Sequence, residues 1–135
     1  MVKAIFINAK EQTIETLNLG SGHETSYNRI GHGCSQTELV WRDSNDDGLF
    51  CDEQGELMEH SCEGEKHFGF LWCVSKINGT FQKYFLICGN GLIINFKENG
   101  ESRDSFTPLR EARKRVIFLS SDAVKSYKEK LLNLI

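Results

Sequence analysis

Four residues in "RDSNDDGLFCDEQGE" have the types and spacing of a calcium loop, since Asp43, Asn45, Asp47 and Gly48 fall in the register D-x-N-x-D-G. Carboxylate and amide oxygens at alternate positions can surround a hard cation, and the glycine permits the sharp turn. The twelfth position of such a loop must be a Glu that gives two oxygens; counted from Asp43 it is Gln54, which offers one neutral amide oxygen. Glu53 and Glu56 stand out of register. The flanking "TELVW" and "LFC" are β-rich where a calcium loop needs helices. A polar hairpin turn made of Asp, Asn and Gly is therefore expected.

Thiols and imidazoles form a second set. His60, Cys62, His67 and Cys73 follow the spacing H-x-C-x4-H-x5-C, which matches none of the paired zinc knuckles. Cys73 stands among Phe70, Leu71, Trp72 and Val74, where a thiol behaves as a small hydrophobe. In "GHGCSQ", Cys34 follows His32 by two residues, but a nucleophilic thiol needs a base in contact and a third group to orient that base. Neither can be assigned. No cofactor, metal or catalytic residue is expected, and a small enzyme or metal-binding module using these Cys and His residues is the alternative.

Charge gives the most legible signal. Asp43, Asp46, Asp47, Asp52, Glu53, Glu56, Glu59, Glu63 and Glu65 succeed one another with no Lys or Arg between them, so this segment carries −9 within a chain of net charge −3. All 16 basic residues lie elsewhere, and the rest of the chain sums to +6. A field of one sign attracts and orients a partner of the other sign. Arg110, Arg113, Lys114 and Arg115 could grip phosphate, and the aromatic strand around Phe68, Phe70 and Trp72 could stack on bases. A solvated helix face and a core strand are the expected roles, and direct nucleic-acid binding is not expected.

Positioning these groups falls to a chain of 135 residues, enough for one domain. "VKAIFIN" (Val2 to Asn8) and "TIETLNL" (Thr13 to Leu19) read as a hairpin, with a short helix in Glu24 to Ile30 after it. "TELVWR", a turn over Asp43 to Gly48 and the return strand "LFCD" come next. "HFGFLWCVSKI" and "TFQKYFLIC" flank Asn78-Gly79, a dipeptide suited to a two-residue turn, and "GLIINF" follows before a break at Asn99 to Glu101. Thr107 and Pro108 suit the start of a helix through "LREARKR", and "VIFLS" (Val116 to Ser120) is a strand. Ser121 then suits the cap of a terminal amphipathic helix with the stripe Val124, Tyr127, Leu131, Leu132 and Ile135. The expected architecture is α+β, a mainly antiparallel sheet with two or three helices.

The opening "MVKAIFINAK" lacks a signal-peptide pattern, and no segment approaches the ~20 apolar residues of a membrane span. Five cysteines without a C-x-x-C pair are expected as reduced thiols in a cytoplasm.

The stretches "RIG", "LFCDEQGEL", "YFLICGNGLIINF" and "TPLREARKRVIFLS" resemble, in that order, an uncharacterised family of small domains found in phages, mobile elements and bacteria. Its pattern is an Ile-Gly step, an aromatic-x-Asp-Glu-x-Gly turn and a Gly-Asn-x-hydrophobic strand. Ile30-Gly31, Phe50 to Gly55 and Gly89 to Ile93 occupy those places. The chain departs from the pattern in its cysteines and in "MEHSCEGEKH", and the terminal helix lies outside the resemblance. The resemblance implies a phage or bacterial context and carries no activity or catalytic residues. The expectation is a non-enzymatic accessory protein whose acidic segment engages a basic host protein, with no oligomeric state specified.

Overall fold

Alternation of apolar and polar side chains resolves into nine strands and two helices in the computed structural model, which describes residues 2–19, 37–52, 68–77, 80–97 and 102–133. The hairpin of β1 (Val2–Asn8) and β2 (Thr13–Leu19) pairs Val2 with Leu19 through to Asn8 with Thr13. It joins β3 (Thr37–Arg42), β4 (Asp47–Asp52) and β7 (Gly91–Phe96) in a sheet of order β2-β1-β7-β4-β3, with the two-residue β8 (Ser102–Arg103) also on β7. A second sheet has the order β6-β5-β9, from β5 (Gly69–Ile77), β6 (Thr80–Cys88) and β9 (Val116–Leu119). All the pairings are antiparallel. With α1 (Leu109–Arg115) and α2 (Ser121–Asn133), the described residues are mostly antiparallel sheet with two helices, consistent with an α+β class.

Side-chain alternation distributes these strands over two buried layers. Ile5, Ile7, Leu49, Cys51 and Ile93 of the first sheet meet Phe70, Trp72 and Ile87 of the second. Ala4, Phe6, Leu92 and Ile94, one residue out of phase, form a separate cluster with Phe50 and Phe96 on the other face. Beyond the second sheet, Leu86 and Cys88 pack on Val124 of α2. Close approach there requires Gly69, because a Cβ would lie 2.6 Å from the Ile87 carbonyl oxygen and 3.3 Å from Val124 Cγ2.

A bulge in β3 sorts its apolar residues between the layers. Leu39 pairs with Phe50 and Trp41 with Leu49, so the register shifts between them and Trp41 turns inward while Leu39 stays outward. Trp41 meets Trp72 edge-on at 5.1 Å. The Arg115 guanidinium lies 5.1 Å from the Trp41 ring centre and 5.8 Å from that of Trp72, and donates to the Cys73 carbonyl at 2.6 Å. Arg115 thus belongs to the interior packing more than to a solvated basic face.

Several boundaries differ from the sequence expectation for local reasons. The strand β4 begins at Asp47, not Leu49, because Asp47 already pairs with Asn95 of β7. Thr107 does not cap α1: the preceding Pro108 is extended, no side chain caps the helix, and the Pro108 carbonyl accepts from the N–H groups of Glu111 and Ala112. Ser120, not Ser121, caps α2, its Oγ accepting from the Ala123 N–H at 3.2 Å. Within α2, Val124 is buried but Tyr127 is 41% exposed; the side chains of Leu131, Leu132 and Ile135 lie outside the described residues. So do Glu24 to Ile30, Asn78-Gly79 and Asn99 to Glu101. Among the described residues no helix is long and apolar enough to cross a membrane.

Candidate functional site

The acidic segment opens in the β3–β4 connection, and its first three carboxylates have three different fates. Asp43 closes the turn on itself: its Oδ1 accepts from the N–H groups of Asn45 at 2.9 Å and Asp47 at 3.0 Å, the self-bonding that Asp brings to tight turns. Asp46 adopts φ 67, a left-handed conformation that Asp tolerates better than most residues. Its carboxylate turns outward to an exposed ion pair with Arg42 at 2.9 Å. "DSNDDG" is thus a hairpin turn between strands, in the place where a calcium site would need helices.

Asp47 corrects the reading of the segment as a uniform acidic surface. It is fully buried, on the inner face of β4 in phase with Leu49 and Cys51. Its Oδ1 accepts from Asn95 Nδ2 at 2.7 Å and from the Phe106 N–H at 3.0 Å. Its Oδ2 accepts from Ser105 Oγ at 3.1 Å, the Thr107 N–H at 2.7 Å and the Thr107 hydroxyl. Asn95 in turn donates to the Asn45 carbonyl at 2.6 Å and accepts from Arg103 Nε, while the Arg103 guanidinium lies 5.2 Å from the Phe106 ring centre. Burial by itself would raise the Asp47 pKa. The donors from Thr107, Asn95 and Phe106 outweigh it and hold the carboxyl below the ordinary Asp range.

This cluster is a clamp: both oxygens of the buried Asp47 accept from donors on β7 and the 105–107 segment. It ties the β3–β4 turn, β7 and the 104–107 segment together. The same segment is fastened to β1, where Asp104 Oδ1 accepts from the Lys3 N–H at 2.7 Å and the Ser105 N–H reaches the Lys3 carbonyl at 2.9 Å. Sequence reading missed Asn95, Ser105 and Thr107. The one available signal was Asn95 itself, an amide inside the apolar strand "GLIINF" that must find partners if buried.

Of the remaining acidic residues, Asp52 ends β4 opposite Thr37, and its side chain lies outside the described residues. Glu53, Glu56, Glu59, Glu63 and Glu65 lie outside them too, as do Cys34, His60, Cys62 and His67. Cys73 is fully buried. Among the described residues no three His, Cys, Asp or Glu side chains converge as metal ligands. Beside the outward Asp46, the side chains of Leu39, Phe50 and Phe96 border a cavity of about 200 Å³.

The Gly-Asn step also has a structural role here. Gly89 takes φ 91, and the buried Asn90 accepts from the Ala9 N–H at 2.8 Å, joining the start of β7 to the end of β1. No family model, curated protein or solved structure matches the chain.

Proposed function

We propose that this chain is a non-enzymatic accessory protein of a phage, mobile element or bacterium, acting in the cytoplasm by presenting its acidic segment to a basic surface of a host protein. The observation that carries the reading is the run of nine acidic residues from Asp43 to Glu65 without one Lys or Arg. Asp47 serves the fold, so the interacting set reduces to Asp43, Asp46, Asp52, Glu53, Glu56, Glu59, Glu63 and Glu65. Carboxylates at intervals along a surface imitate the charge pattern of phosphates and speed encounter with a cationic partner. The terminal helix serves the scaffold in this reading, Val124 packing on Leu86 and Cys88 of the second sheet.

Capture from bacterial lysate followed by binding kinetics at several salt concentrations tests the proposal. Changing Glu53, Glu56, Glu59 and Glu63 together to Gln should slow association at low salt, and added salt should slow the parent chain likewise. The pair Arg113→Gln and Lys114→Gln should leave association unchanged. Dependence on the basic pair alone, or indifference to salt, would replace this reading with direct nucleic-acid binding.

A further inference from the structure

Asn-Gly is the least obstructed setting for an asparagine to react with its own backbone, because glycine has no Cβ to hold the following nitrogen away. The chain has that step at Asn78, Asn90 and Asn99. Asn90-Gly91 falls within the described residues, and the fold engages both of its members. Asn90 is 1% exposed, and its Oδ1 accepts from the Ala9 N–H at 2.8 Å. Gly91 opens β7 in the middle of the first sheet, paired with Ile7 on one side and Cys51 on the other. A Cβ at Gly91 would lie 3.0 Å from Leu49 Cδ1 and 3.0 Å from Phe70 Cζ, closer than ordinary packing. The amide is needed for Ala9 and the missing Cβ for the core, so the sheet keeps a chemically labile pair at its centre.

We propose that Asn90-Gly91 is a deamidation site guarded by the fold: it reacts only when this part of the sheet opens, and its product does not return to the native sheet. In the open chain the Gly91 nitrogen attacks Asn90 Cγ. The N–Cγ bond forms, the Cγ–Nδ2 bond breaks, and the amide nitrogen leaves as ammonia, carrying the proton that Gly91 gives up. Water then opens the cyclic imide at either carbonyl, leaving Asp or isoaspartate at position 90. The native sheet blocks the first step, since Ala9 holds the Asn90 side chain and strands on both sides hold Gly91. Isoaspartate carries the main chain through Cβ and so inserts one atom ahead of β7, which moves Gly91 out of register with Ile7 and Cys51. The plain Asp product sets a carboxylate where the fold buries a neutral amide.

Incubation of the full chain at mildly alkaline pH, native and in urea, followed by peptide mapping, tests this independently of the acidic segment. Conversion at Asn90 is expected in urea and should be slower by about tenfold or more in the native chain, its rate in partial denaturant following the unfolded fraction. Asn78 and Asn99, read in the same urea digest, show that the conditions support the reaction. After urea is removed, isoaspartate at position 90 should be concentrated in the chains that fail to refold, separated by size exclusion. Equal rates at Asn90 in the native and unfolded chain would overturn the proposal. So would an Asn90 that stays intact in urea while Asn78 and Asn99 convert, or isoaspartate at position 90 spread evenly between refolded and unrefolded chains.

Discussion

Asp46 and Asp47 are adjacent in sequence, identical in side chain, and opposite in circumstance. Asp46 sits in the turn, where a left-handed backbone points its carboxylate to solvent and Arg42. Asp47 is the first residue of β4, and the two-residue period of the strand places it on the same face as Leu49 and Cys51 while Gly48 and Phe50 take the opposite face of the sheet. One position along the chain thus separates a screened surface charge from a carboxylate that organises three segments. A count of negative charges cannot tell them apart. The start of the strand can, because strand phase fixes which side chain must find its donors inside.

The largest expected effect that would break this contrast is at Asp47. Asp47→Ala leaves the side chains of Asn95, Ser105 and Thr107 and two backbone N–H groups facing a cavity, and should cost about 3–5 kcal/mol in urea denaturation. Asn95→Ala removes a donor to Asp47 and strands the Asn45 carbonyl, so about 2–3 kcal/mol is expected by the same measurement. Thr107→Val keeps shape and removes one donor, for about 1–2 kcal/mol. By contrast, Arg42→Ala opens only an exposed ion pair and should stay within about 0.5 kcal/mol.

Acid titration sharpens the same comparison. The folded pKa of Asp47 lies below its unfolded value, so its ionisation contributes stability that is complete above about pH 4. That contribution is lost as the pH falls through the lower folded value. The stability difference between the parent chain and Asp47→Asn should therefore shrink below about pH 4, read from urea midpoints over a pH series.

Much of the sheet was legible because period-two alternation and turn residues are local signals: β1, β2, β6 and β7 have the bounds read from sequence. The clamp was not legible, because its bonds join residues 48 and 60 positions apart. Thr107 before Pro108 has the local form of a helix cap, and its hydroxyl serves Asp47 instead. Arg115 looked like part of a basic face for a similar reason, since only the bulge that turns Trp41 inward creates the aromatic bed it covers. Local sequence specified the elements. Strand phase and long-range partners decided what each polar residue does.

Paired urea titrations of Asp46→Asn and Asp47→Asn test the central claim most directly, since each exchanges one carboxylate for a neutral group of the same shape. Asn tolerates the left-handed turn at position 46, so that variant should lie within about 0.5 kcal/mol of the parent chain. At position 47 the new amide would turn donors toward donors, and a loss of about 3 kcal/mol is expected. Equal effects at the two positions, or a larger loss at Asp46, would contradict the assignment of Asp47 as the internal clamp and Asp46 as surface charge.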